Sequence, residues 1–127
     1  MNVLYVDQHL IVVSKPAGMP SQPDPSGQRD LLTTLQEQYL TAGLVHRLDT
    51  PTGGVMVFGL TAKATAKLCS LVQDHNRFRK EYLAVVSAPP AEENGRMTDH
   101  LFHDKQNKQN ITQLKNYMKN LINLFYN

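Results

Sequence analysis

The rhythm of apolar positions changes several times along this chain. Val3 to Val6 and Leu10 to Ser14 are short β-branched runs on either side of Asp7-Gln8-His9, the pattern of a β-hairpin. Lys15-Pro16-Ala17-Gly18 ends it, and Pro20, Pro23, Pro25 and Gly27 mark a surface loop. Helical spacing follows: Leu31, Leu32, Leu35, Tyr39 and Leu40 predict a helix with Asp30 as its N-cap. Leu44 and Val45 lead into a loop with two glycines, a proline and two threonines, after which the apolar run Val55 to Leu60 predicts a buried strand. Thr61 is placed to cap a helix from Ala62 to about Gln73, with Ala62, Ala66, Cys69, Leu71 and Val72 facing inward. A basic stretch, Arg77-Phe78-Arg79-Lys80, feeds a strand over Glu81 to Ser87, which Pro89-Pro90 closes. Strands and helices are mixed rather than alternating, so the predicted class is α+β, a mixed, mostly antiparallel sheet with flanking helices.

The length of 127 residues, 41% hydrophobic and 19% charged, is one domain's worth with an ordinary globular balance, which excludes a collagen-like repeat or a wholly disordered chain. The longest apolar run is far short of the roughly 20 residues of a membrane span. Met1-Asn2-Val3-Leu4 resembles no signal peptide, and the single Cys69 forms no internal disulfide. A cytoplasmic protein is expected.

The net charge of +2 does not by itself point to nucleic acid. Residues 1–104 hold 9 Lys+Arg against 11 Asp+Glu, whereas 105–127 hold 4 bases and no acid. Composition breaks at the same place, since every glycine and proline precedes residue 96. The tail from Lys105 is rich in Asn, Lys and Gln, and its apolar spacing from Ile111 to Phe125 predicts an amphipathic helix. Two regions are therefore expected, 1–104 and 105–127.

Three strings in the first region carry chemistry when taken together. His46-Arg47-Leu48-Asp49 with Thr52-Gly53, preceded by Lys15-Pro16-Ala17-Gly18 and followed by Lys80-Glu81-Tyr82-Leu83-Ala84, resembles the RluA-type family of RNA pseudouridine synthases. The HRLDxxTG string is the specific one. The resemblance covers about Val3 to Asp104 and implies an isomerase that converts uridine to pseudouridine in ribosomal or transfer RNA, with no cofactor and no metal. Asp49 resembles the family's catalytic aspartate, acting on the sugar as a nucleophile or as a base; both roles stay open. Arg47 resembles the residue that fills the stack when the target nucleotide is flipped out. Tyr82, the second catalytic residue that the resemblance implies, resembles the pocket tyrosine that packs on the extracted uracil and assists the final proton loss at C5. Thr52, Gly53 and Lys80 complete the implied substrate-binding set. Asp49, Arg47 and Tyr82 are expected to converge in one cleft.

Other residues have plainer readings. His46, beside a tight loop, reads as a structural hydrogen-bonder, and Cys69 as core. Lys63, Lys67, Arg77, Arg79 and Lys80 make either an RNA-facing patch or a solvated face. The string Asp99-His100-Leu101-Phe102-His103-Asp104 looks like a metal site, but a short strand there would set His100 and His103 on opposite faces.

The family's later half carries a Gly-Arg-x-His-Gln-x-Arg type of motif whose first arginine is placed to pair with the catalytic aspartate. Nothing in Lys105 to Asn127 resembles it. A reading-frame break or a truncated product is the expectation. The alternative to an enzyme is a non-catalytic remnant that binds RNA weakly or pairs with another chain through an open sheet.

Overall fold

A computed structural model of the chain describes residues 1–88, 95, 101–104 and 109–112, the last two stretches by their backbone alone. Two compact units are present, residues 1–79 and 80–127. The composition break at 104/105 falls inside the second.

The first unit holds a four-stranded sheet of order β1-β2-β4-β3, with β1 Asn2–Val6, β2 Leu10–Lys15, β3 Gly43–Leu44 and β4 Gly54–Gly59. Every pairing in it is antiparallel, as a hairpin followed by returning strands requires. Asp7 makes the first turn: its Oδ1 accepts from the backbone N–H of His9 (2.7 Å) and Leu10 (2.8 Å).

Register divides the sheet into two faces. Ile11 pairs with Phe58 and Val13 with Met56, and all four side chains are fully buried, so one face of β2 and β4 carries the core. Helix α1, Leu31–Gln36, adds Leu31 and Leu35 to it, capped by Asp30, whose carboxylate accepts from Thr33 N–H at 2.9 Å. The predicted continuation through Tyr39 and Leu40 does not form. Gln38 and Tyr39 N–H both turn back on the Leu35 carbonyl, and Leu40 projects into solvent with nothing apolar to pack on.

Helix α2, Ala62–Val72, starts where predicted, with Thr61 accepting from Ala64 N–H at 3.1 Å. Its packed side differs from the expected one. Ala62 and Ala66 are exposed, while Ala64, Thr65, Leu68, Cys69, Leu71 and Val72 are half-buried. The cause is a close approach to the sheet. A Cβ on Gly59 would meet the Thr65 backbone nitrogen at 2.5 Å, and one on Gly43 would meet Thr65 Cγ2 at 2.7 Å, so Thr65 rather than Ala66 sits against the strands. Gly59 alternates with Phe58, which puts α2 on the face opposite the core. Cys69 donates weakly to the Leu44 carbonyl at 3.7 Å, a packing role.

In the second unit, residues 80–88 form no strand, contrary to the expectation for Glu81 to Ser87. Burial alternates from Glu81 to Ser87, and Leu83 and Val85 are fully exposed. The reason is the want of a ladder partner among the described residues: β character alone does not make a strand. Strands β5, Leu101–Asp104, and β6, Gln109–Thr112, form an antiparallel pair in which Leu101 faces Thr112 and Asp104 faces Gln109. Ile111 therefore lies in a strand and not at the start of a helix; the rest of the expected tail helix, 113–127, and His100 lie outside the described residues.

Candidate active site

The backbone from Val45 to Asp49 leaves β3 without regular structure, and its side chains alternate in burial. His46 is half-buried, Arg47 exposed, Leu48 buried and Asp49 exposed. The two inward residues anchor the loop. His46 Nε2 accepts from Val57 N–H at 3.3 Å, continuing on β4 the ladder that β3 leaves off, and its ring meets Phe78 with centroids 5.8 Å apart. This is the structural role read for His46 in the sequence.

Leu48 is held by a serine that the sequence did not single out. Ser21 Oγ donates to the Leu48 carbonyl (2.6 Å) and accepts from Leu48 N–H (3.0 Å), so one buried hydroxyl satisfies both backbone groups of the residue between Arg47 and Asp49. Thr52 N–H then donates to the Asp49 carbonyl at 2.9 Å and closes the turn behind the carboxylate.

Two of the three strings meet here. Lys15, 1% exposed, donates to the carbonyls of Pro16 (3.2 Å), Met19 (2.5 Å) and Thr50 (3.3 Å). Its ammonium thus ties the loop after β2 to the loop that bears Asp49. Gly18, at φ +86°, a conformation that costs glycine little, donates its N–H to the same Thr50 carbonyl at 2.7 Å. A Cβ on Gly53 would stand 3.2 Å from Ala17 N, so Gly53 lets the two loops touch.

Burial lowers the Lys15 pKa, and the nearby negative charge of Asp49 opposes that shift. Like Ser21, Lys15 is a member of the site to which sequence reasoning did not assign a role. The signal was present in the Lys-Pro-Ala-Gly string, but the lysine read as a strand end, and only the fold shows its ammonium turned inward onto the carbonyls of Pro16, Met19 and Thr50.

Arg47, Asp49, Thr52 and Gly53 therefore share one loop system in the first unit. Lys80 and Tyr82, both half-buried, belong to the second unit. Among the described residues, no cluster of three or more His, Cys, Asp or Glu is placed to hold a metal ion.

An α+β unit joins its Lys-Pro-Ala-Gly loop to the His-Arg-Leu-Asp loop that bears the exposed Asp49. The chain belongs to the RNA pseudouridylate synthase family, whose model matches residues 9–124 and so spans both sides of the composition break. It is 36% identical over 110 residues to the dual-specificity RNA pseudouridine synthase RluA of Yersinia pestis, covering 85% of this chain and 53% of that one. To the tRNA pseudouridine synthase C of Pasteurella multocida it is 38% identical over 90 residues, 68% of this chain and 37% of that one. The chain spans about half the length of the RluA relatives it matches. Among solved structures, human RNA pseudouridylate synthase domain containing 4 superposes with a TM-score of 0.51 at 26% identity, over 59% of this chain and 30% of that chain.

Proposed function

We propose that this chain carries the catalytic-aspartate part of an RNA pseudouridine synthase acting on uridine in ribosomal or transfer RNA. The observation that carries this reading is the joining of the Lys15 and Asp49 loops through one buried ammonium, which holds a solvent-facing carboxylate on a braced backbone. The reaction needs little else from the protein. The C1'–N1 bond breaks, the uracil turns, C1' bonds to C5, and the C5 proton is lost while N1 gains one. Nothing is oxidised or reduced, so no redox cofactor enters. Asp49 serves either by attacking the sugar or by taking a ribose proton, and in both cases the carboxylate must be ionised.

The target base must leave its stack, at a cost of a few kcal/mol. Arg47, exposed beside two inward neighbours, offers a planar cation that fills the gap. Thr52 and Gly53 shape the loop around the ribose, and Tyr82 with Lys80 supplies the face on which the uracil packs. RNA substrates place the protein in the cytoplasm.

The test joins this chain to the second half of a relative's catalytic domain and maps pseudouridine in total RNA by carbodiimide-stopped primer extension. Conversion without metal or cofactor is expected, and Asp49→Asn should lower it by at least ~10³-fold with the fold intact, because the amide keeps shape but neither attacks nor takes a proton. Activity surviving that substitution removes the assignment. A second reading, that the chain pairs with another polypeptide, is favoured by the fully exposed Leu83 and Val85; a monomeric chain by sedimentation at every concentration would count against it.

A further inference from the structure

We propose that Arg77 and Arg79 form a phosphate-gripping rim beside the Asp49 loop, holding the RNA backbone next to the nucleotide that is flipped; this rests on the pseudouridine synthase reading. From Thr61 to Arg79 the chain carries Lys63, Lys67, Arg77 and Arg79 against one acid, Asp74. That acid is used locally. Asp74 Oδ1 accepts from Asn76 N–H at 3.1 Å, and its carbonyl accepts from the N–H groups of Arg77 (3.0 Å) and Phe78 (2.9 Å).

The turn so formed follows directly on α2, through Asp74 N–H to the Leu71 carbonyl at 3.0 Å, and brings the chain back onto the catalytic loop. Phe78, half-buried, packs its ring against His46, one residue from Arg47 and three from Asp49. Arg77 and Arg79 flank that anchor and are both exposed. Their position is thus tied to the loop by a specific contact and is not that of two free surface charges.

Among the described residues neither arginine joins an ion pair; the pair present is Arg29–Glu37. Two exposed guanidiniums that flank the residue anchored on His46, with no carboxylate paired to them among the described residues, are matched by an anion of repeated charge. A guanidinium fork donates two parallel N–H bonds to a phosphate, and an RNA strand offers successive phosphates on either side of a flipped nucleotide. Lys63 and Lys67 lie one turn apart on the exposed side of α2 and have no such tie to the loop, which makes them the internal control.

The experiment titrates the intact chain into a fluorescein-labelled RNA hairpin over a series of KCl concentrations and reads anisotropy. Arg77→Gln with Arg79→Gln should weaken binding at least ~10-fold and reduce the slope of log affinity against log salt by about 1 to 2. Lys63→Gln with Lys67→Gln removes the same charge and should cost less than ~3-fold. Circular dichroism melts of each variant show whether it is folded. Equal losses in the two double variants, no loss in the arginine pair, or binding that ignores salt each overturn the rim. Conversion that depends on Asp49 in the extended enzyme is a separate readout, so the catalytic reading and the rim fail separately.

Discussion

Leu10 to Lys15 and Glu81 to Ser87 are sequences of one kind with two outcomes. Both are rich in Val, Leu or Ile, both have a basic residue at or next to one end, and both read as strands. The first lies between β1 and β4, with Ile11 and Val13 fully buried and every backbone group offered a ladder on one side or the other. The second forms no strand, and Leu83 and Val85 stand fully in solvent. A strand is a relation between segments: the backbone groups need partners and the side chains need a face to cover, and neither is written in the segment itself.

The comparison is broken most directly by truncating one side chain in each stretch. Ile11→Ala should cost about 3 to 4 kcal/mol of stability, since a fully packed isoleucine leaves a cavity. Leu83→Ala should stay within about 0.5 kcal/mol, as surface changes do. Urea denaturation of the two variants gives both values. A loss for Leu83→Ala near that for Ile11→Ala would show that Glu81 to Ser87 is paired in solution.

Next in size is Lys15→Met, which keeps the length of the side chain and removes the charge. Three carbonyls lose a charged donor, and the expected loss is about 2 to 3 kcal/mol. The pH dependence carries a second signature. Because burial lowers the folded-state pKa of Lys15, the unfolded chain keeps its proton where the folded chain releases it, and the contribution to stability rises with pH up to the ordinary value of 10.5. The Met variant should lack that rise in melts taken through the alkaline range. A variant as stable as the parent would mean that the two loops are joined by something other than this ammonium.

Much of the first unit was legible because its rules are local. The hairpin followed from β-branched runs around Asp7, and the helix starts followed from Asp30 and Thr61, whose side chains bond within three residues. The errors fall where the deciding partner is distant. The inward side of α2 was set by Gly43 and Gly59 opening room for Thr65, a fit between residues of different elements that no periodicity reports. Helix α1 stops at Gln36 since nothing covers Leu40. In the candidate site, the loop that carries Asp49 was legible in its glycines, proline and threonines. The bracing of that loop by Ser21 and Lys15 was not, as both act on backbone groups more than twenty residues away.

Ser21 therefore sharpens the comparison at intermediate size. Ser21→Ala leaves the Leu48 carbonyl and N–H without their shared partner, at a cost of about 1 to 2 kcal/mol. In the extended enzyme the effect on turnover should exceed what the lost stability explains, because the residue released lies between Arg47 and Asp49. Single-turnover rates measured well below the melting temperature separate the two contributions. A rate equal to the parent's would confine Ser21 to folding.

The smallest effect belongs to the turn that starts the well-paired stretch. Asp7 accepts from His9 N–H, Leu10 N–H and the Tyr5 hydroxyl, and these bonds, led by that from His9, hold its carboxylate below the ordinary value of 3.8. The Tyr5 phenol is raised in turn by the same hydrogen bond and by the Asp7 charge. A carboxylate whose folded pKa is depressed contributes stability that is present above its unfolded value and is lost as pH falls through the folded one. Asp7→Asn keeps an oxygen for the two backbone donors, so neutral stability should change little, while the fall in melting temperature below about pH 4 should become shallower. An unchanged acid limb would mean that the hairpin turn owes nothing to the ionised carboxylate, and that β1 and β2 are held by their ladder alone.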